Sequence, residues 1–165
     1  VEMLRRAKIS IDMVSITDQK EVTSPHNVTI AADKILSEVN FDEAEVLVLP
    51  GGIPGTPNLR ACDLLCEKLK EFAANGKKVA AVCAAPTVLG ELGILAGKKA
   101  TCYPSFADKL ATGDYVKQPV VTDGNVITSR GMGTCIEFAG AIIEALKDKA
   151  TADAVKEAII YHDVY

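Results

Sequence analysis

Tryptophan is absent from this 165-residue chain, and aromatic residues make up only 5% of it. Neither sign of charge dominates, since 18 basic and 22 acidic residues leave a net charge of -4. A nucleic-acid-binding surface needs a basic excess, so the composition argues against that class of partner. No apolar run approaches the roughly 18 residues of a membrane-spanning helix, which argues against a membrane protein.

Histidine is scarce, with only His26 and His162 in the whole chain. Cysteine is more frequent and occurs an odd number of times, at five positions. A domain of this size can bury a core without disulfides. The odd number therefore favours free thiols in a reducing, cytoplasmic setting.

Buried strands alternate with amphipathic helices along the chain. Nearly continuous apolar runs at residues 45–49 and 78–82 are typical of strands covered on both faces, and residues 58–75 have the spacing of one amphipathic helix with Leu64 on its apolar side. Further strands are predicted at residues 8–16, within 21–30, at 99–103 and as a hairpin over 120–129 turning at Asp123-Gly124, and further helices at 31–39, 86–92, 106–110, 137–147 and 152–161. This order predicts a single α/β domain over residues 1–165, with a mostly parallel sheet and helices on both faces.

The active site of such a sheet lies outside the carboxyl ends of its strands, where the run at 78–82 ends directly in Cys83. A helical pattern begins within three residues, at Pro86, so the pattern predicts a tight strand-to-helix turn that lifts one side chain above the sheet. A thiol at a helix N-terminus faces unpaired N–H groups, which favours the thiolate. The thiolate is both a nucleophile and a target of oxidation.

A buried structural cysteine is the alternative interpretation of Cys83. The Pro50-Gly51-Gly52 break after the neighbouring apolar run favours the functional one. If the two strands are adjacent, the backbone N–H groups of Gly52 and Ala84 would form an oxyanion pocket beside the thiol.

Four stretches of the chain resemble the ThiJ/PfpI (DJ-one) superfamily, and most closely its ThiJ/YajL-like branch. They are residues 46–52 (VLVLPGG), 80–87 (AAVCAAPT), 107–109 (ADK) after Tyr103-Pro104, and 128–134 (TSRGMGT) followed by 137–139 (EFA). The resemblance implies a flavodoxin-like three-layer sandwich, a homodimer, and Cys83 as the reactive cysteine. It also implies a pocket around Cys83 lined by Gly51, Tyr103, Arg130 and Met132, with Met132 as its apolar wall.

Three departures from that family's pattern matter. The family's first strand, and a glutamate in the turn after it, would lie upstream of Val1, so no residue here is assigned as the acid/base partner of Cys83. Tyr103 stands where many members have a histidine, which disfavours a Cys-His peptidase. His26 stands where relatives can have an arginine that reaches toward the dimer partner.

The other cysteines have structural interpretations. Cys62 and Cys66 have the spacing of two metal ligands on one helix face, but no matching ligands occur elsewhere, and we predict no metal site. Cys102 is a candidate resolving thiol, although strand alternation can point it inward. We interpret Cys135 as a packing residue. Arg130 would meet either a substrate anion or a structural salt-bridge partner.

The predicted function is a cofactor-free, cysteine-dependent glyoxalase or deglycase acting on small reactive carbonyls or glycated substrates. Thiolate attack on an aldehyde would give a hemithioacetal, with Gly52 and Ala84 stabilising the oxyanion. The proton shuttle is unassigned, because the phenol of Tyr103 is a poor base. A non-enzymatic oxidative-stress sensor or chaperone-like protein is the alternative.

Overall fold

The computed structural model describes residues 1–111 and 113–161. The helices are α1 (Glu2–Arg6), α2 (Gly55–Ala61), α3 (Asp63–Ala74), α4 (Pro86–Glu91), α5 (Cys135–Leu146) and α6 (Lys149–Ala158). The strands are β1 (Val14–Ser15), β2 (Glu21–Thr23), β3 (Thr29–Ala31), β4 (Lys34–Ile35), β5 (Val46–Leu49), β6 (Lys78–Val82), β7 (Lys99–Ala100), β8 (Asp114–Tyr115), β9 (Val120–Asp123) and β10 (Val126–Ser129). Single 3-10 segments cover Leu36–Glu38, Pro104–Lys109 and Met132–Thr134. No described helix has the length and apolar character needed to cross a bilayer.

The central sheet has four strands in the order β5-β6-β10-β9. β5, β6 and β10 are parallel, and β9 joins β10 as the antiparallel arm of the predicted hairpin. Gly124 makes the hairpin turn with a φ of 60°, in the left-handed region that glycine adopts without strain. The mostly parallel sheet predicted from the apolar runs is therefore confirmed.

Helices pack on both faces of this sheet, because alternate residues of each central strand point to opposite sides. Val79 and Ala81 of β6 belong to a cluster with α3 and α4. Ala80 and Val82 belong to a second cluster, with α1, α5 and α6. The α/β architecture with two covered faces is thus present.

The helix predicted at residues 31–39 is wrong. The segment contains β4, which pairs in parallel with β1, and then one 3-10 turn. The carbonyl of Met13 accepts the N–H groups of Asp33 and Lys34, and the Glu38 carboxylate accepts the Ile35 N–H at 3.0 Å. Strand pairing and this local hydrogen bond override the apolar spacing. The strand predicted at 8–16 is likewise reduced to β1.

The single helix predicted at residues 58–75 is two helices. The chain is extended at Cys62, with φ −86° and ψ 98°, so α2 ends and α3 begins on either side of it. Leu64, placed on the apolar side by the pattern, is 43% exposed. The strand predicted at 99–103 ends at Ala100, because the hydroxyl of Thr128, not a backbone carbonyl, accepts the Thr101 N–H at 2.9 Å.

Candidate functional site

Cys83 stands at the elbow between β6 and α4 with a φ of 65°. A left-handed backbone at a residue other than glycine costs on the order of 1–3 kcal/mol and persists only when its surroundings hold it. Two hydrogen bonds do so here. The Cys83 N–H donates to the Ser129 carbonyl at 3.0 Å, and the Tyr103 N–H donates to the Cys83 carbonyl at 2.8 Å. The side chain itself is half-buried.

Small residues surround the elbow because there is no room for larger ones. A β-carbon on Gly51 would lie 2.5 Å from the Cys83 β-carbon and 2.7 Å from the Val82 carbonyl oxygen. Ala84 and Ala85 are 1% and 0% exposed. The glycine next to the thiol is therefore required by close approach, a role that the sequence pattern does not distinguish from that of an ordinary turn glycine.

The backbone near the thiol offers unpaired donors. β5 and β6 are adjacent, with Leu49 paired to Ala81, so the segment after β5 lies beside the elbow. Within residues 1–111 and 113–161, neither the Gly52 N–H nor the Ala84 N–H donates a hydrogen bond. The adjacency on which the predicted oxyanion pocket depends is thus present, and the pocket itself stays a prediction.

Cys102 lies on the far side of the sheet from the helices that Cys83 contacts. It is 0% exposed and belongs to the cluster of α3 and α4. Burial raises the pKa of this thiol to about 11, an effect that the positive charge of Arg130 partly opposes. Its inward orientation agrees with strand alternation and argues against a resolving role, since a protonated thiol is a poor nucleophile.

The other predicted pocket residues differ in their exposure and in their contacts. Tyr103 is 47% exposed, and its Cδ2 lies 3.6 Å from the position of a β-carbon on Gly131. Arg130 forms no ion pair in the described part of the chain, so the predicted salt-bridge partner is not found there, and its Nε is buried without a hydrogen bond. Met132 is 90% exposed, so its role as an apolar wall stays a prediction.

Cys135 is not the packing residue expected from the sequence. It is exposed at the first position of α5, and its thiol donates to the Gly131 carbonyl at 3.5 Å. The preceding Thr134 does not cap the helix with its hydroxyl. The hydroxyl bonds back to Gly131 and, at 2.7 Å, to the Ser129 hydroxyl. The hydrogen bond between the Ser129 and Thr134 hydroxyls connects the end of β10 to the start of α5. No pattern in the sequence predicted it.

The two candidate metal-binding cysteines and one of the two histidines lie within the described residues. No three His, Cys, Asp or Glu side chains of the described residues are placed to hold a metal ion. The break at Cys62 removes the shared helix face expected for Cys62 and Cys66, and the Cys66 thiol donates to the Arg60 carbonyl at 3.2 Å. His26 lies in the exposed turn between β2 and β3, whereas His162 falls outside the described residues.

The fold and the site together define an α/β protein with a mostly parallel central sheet and a cysteine at a strand-to-helix elbow. The sequence profile described as the DJ-1/PfpI family matches residues 1–145, and the chain belongs to that family. The crystal structure of Drosophila melanogaster DJ-1beta is similar, with a TM-score of 0.91, 38% identity, and coverage of 96% of this chain and 87% of that chain.

Curated relatives differ in length and in name. Protein DJ-1 homolog A of Arabidopsis thaliana is 39% identical over 163 residues, which are 97% of this chain and 42% of that protein. For homolog B of the same plant the chain spans 37% of the relative. A Caenorhabditis elegans relative named glutathione-independent glyoxalase DJR-1.2 is 38% identical over 120 residues, covering 72% of this chain and 63% of that protein.

Proposed function

We propose that the protein is a cysteine-dependent, cofactor-free glyoxalase or deglycase that acts on small reactive carbonyls or glycated substrates. The observation that carries this proposal is the half-buried thiol of Cys83 on a left-handed elbow next to the end of β5. The N–H groups of Gly52 and Ala84, which donate no hydrogen bond within the described residues, support it. The relative named as a glyoxalase supports the same class of chemistry.

The proposed reaction begins when the Cys83 thiolate attacks the aldehyde carbon of a 2-oxoaldehyde. A C–S bond forms, and the carbonyl electron pair moves to oxygen, where the N–H groups of Gly52 and Ala84 stabilise the charge. Transfer of the aldehyde proton to the neighbouring carbon gives a 2-hydroxy thioester. Water then releases the 2-hydroxy acid and the thiol, so the net change is addition of one water with no external oxidant.

Lactate formation from methylglyoxal tests this proposal. Cys83→Ser should lose the activity, while Cys66→Ser, which changes a buried thiol of α3, should retain it. Circular dichroism of both variants shows whether an activity is lost because the nucleophile is missing or because the protein is unfolded. Equal rates for wild type and Cys83→Ser would exclude the proposed chemistry.

A stress sensor or chaperone-like protein is the second candidate, and the access of solvent to Cys83 favours it. A thiolate in that position is readily oxidised by peroxide. Site-specific oxidation of Cys83 in a protein that forms no lactate would select this function.

Homodimer formation is part of the proposal. Met132, at 90% exposure, and Ile53, at 52%, are large apolar side chains that a partner subunit would cover. Light scattering coupled to size exclusion measures the mass directly, and a monomer at micromolar concentration would contradict this part.

A further inference from the structure

Two thiols other than Cys83 lie near the elbow, on opposite sides of the central sheet. Cys102 is followed by Tyr103, whose N–H donates to the Cys83 carbonyl, and the charge of Cys83 is among the causes, after burial, that raise the pKa of Cys135. Cys102 is packed in the cluster of α3 and α4. Cys83 packs instead against the cluster formed with α1, α5 and α6. The sheet therefore separates the side chain of Cys83 from the packing environment of Cys102.

Cys135 is on the same side as Cys83. It begins α5, and Phe138 and Ile142, which follow it on one face of that helix, are members of the cluster that Cys83 contacts. The helix face that carries Cys135 is thus turned toward the Cys83 side of the sheet. Unlike Cys102, Cys135 is exposed, so both an oxidant and a reductant can reach it.

Hydrogen bonds hold the start of α5 against the elbow. The Cys83 N–H donates to the Ser129 carbonyl, and the Ser129 hydroxyl bonds to that of Thr134, the residue before Cys135. The Cys135 thiol donates to Gly131 in the same loop. This path from Cys83 to Cys135 runs through two residues, Ser129 and Thr134, and through two hydrogen bonds.

Charge favours a fixed order of reaction between the two thiols. Partial burial of the sulfur and then the charge of Cys83 raise the pKa of Cys135. Conversion of Cys83 to a neutral sulfenic acid removes that charge. One of the causes that raise the pKa of Cys135 is then lost.

We propose that Cys135 is the resolving thiol of Cys83, and that a hydroperoxide converts the pair into an intramolecular disulfide. Sulfur of Cys83 takes the terminal oxygen of the hydroperoxide, the O–O bond breaks, and water or an alcohol leaves. The Cys135 sulfur then attacks the sulfenic sulfur, an S–S bond forms, the S–O bond breaks, and hydroxide leaves as water. Two thiols lose two hydrogens in total, and a dithiol reductant restores them.

The disulfide would spare Cys83 from the irreversible sulfinic stage of oxidation, at the cost of blocking the nucleophile while it lasts. This proposal depends on Cys83 being the thiol that peroxide reaches and not on carbonyl turnover. Lactate formation and disulfide formation are therefore measured separately, and either can fail without the other.

The proposed disulfide between Cys83 and Cys135 is tested by treating the protein with one equivalent of hydrogen peroxide. Intact mass and peptide mapping are then measured. Wild type should lose two hydrogens and give one linked peptide pair containing Cys83 and Cys135. Cys135→Ser should instead gain oxygen at Cys83, and Cys102→Ser, the matched control, should form the disulfide like wild type. Because Cys135 is exposed, its replacement by serine leaves the core unchanged.

Three results would overturn the proposal. The first is a wild-type protein that only gains oxygen or is not modified. The second is a disulfide that survives in Cys135→Ser or disappears in Cys102→Ser. The third is a linkage between two chains, which a non-reducing gel distinguishes from one within a chain.

Discussion

Gly51 and Cys83 face each other at the ends of β5 and β6, so closely that a β-carbon on Gly51 would lie 2.5 Å from that of Cys83. The same β-carbon would approach the Val82 carbonyl oxygen to 2.7 Å. Both atoms belong to the elbow, whose main chain is hydrogen-bonded on each side. The geometry of the thiol therefore depends on the absence of a side chain on the neighbouring strand end.

Gly51→Ala should displace the elbow and weaken the protein. Overpacking of a filled site costs roughly 1–3 kcal/mol, and we expect a loss in the free energy of unfolding within that range together with altered Cys83 alkylation. Gly55→Ala is the matched control, since no atom lies within 4 Å of its added β-carbon. Urea unfolding and iodoacetamide labelling of both variants check the prediction. Equal unfolding free energies and equal labelling rates for the two alanine variants would show that the elbow can accommodate a β-carbon on Gly51.

Thr128→Val should be destabilising although the side chains have nearly the same shape. The Thr128 hydroxyl accepts the buried Thr101 N–H at 2.9 Å, and valine would leave that donor unsatisfied at a cost of about 1–3 kcal/mol. Thr122→Val, on the exposed side of β9, should be neutral within about 0.5 kcal/mol. Unfolding by urea measures both, and a neutral Thr128→Val would contradict the role assigned to the hydroxyl.

Cys102 should make the protein less stable in alkaline solution. Its pKa is raised from 9.0 to about 11 by burial, so the folded state retains a proton that the unfolded chain releases. The contribution of the protonated Cys102 thiol to the free energy of unfolding is fully present below pH about 9 and is lost as the pH rises toward about 11. Unfolding free energies of wild type should fall more steeply than those of Cys102→Ala across this interval. Parallel pH profiles would indicate that the thiol is not desolvated.

Asp148 should have the opposite pH dependence, in acid. Its carboxylate accepts the Thr151 N–H at 2.7 Å at the start of α6, and this hydrogen bond lowers the pKa of Asp148. The stability it contributes is present above the ordinary pKa of about 3.9 and is lost as pH falls through the folded value. Asp148→Asn keeps an N-cap acceptor without a charge to titrate, and its acid profile should lack this loss. Thermal unfolding between neutral and acid pH compares the two proteins.

Strong local patterns explain which parts of the fold could be predicted. The apolar run at residues 78–82 has no helical interpretation compatible with its length, and it forms β6 over the same residues. Residues 31–39 combine apolar spacing with a short length, and their structure depends on pairing with β1, a partner distant in sequence. Pairing with a strand that is distant in sequence cannot be predicted from the local spacing of apolar residues.

The position of Cys83 at the candidate site was also predictable from a strong local pattern. Cys83 follows from the abrupt change of strand to helix pattern, and its left-handed φ agrees with the predicted elbow. The exposure of Cys135 was missed because the orientation of the first helical residue is set by the turn before it, where Thr134 bonds back to Gly131 and Ser129. No residue type in that turn indicates which way its hydroxyl will point.

The two main-chain hydrogen bonds at Cys83 also limit how an adduct on its sulfur can be accommodated. The main chain of Cys83 is hydrogen-bonded to Ser129 and to Tyr103, and Gly51 packs closely against it. The main chain therefore has little room to move when a group is attached to the sulfur. On the proposed chemistry, a group attached to the sulfur would therefore extend away from the main chain of the elbow. Under the proposed function, discrimination between short and long aldehydes would therefore depend on side chains near the thiol and not on the main chain of the elbow.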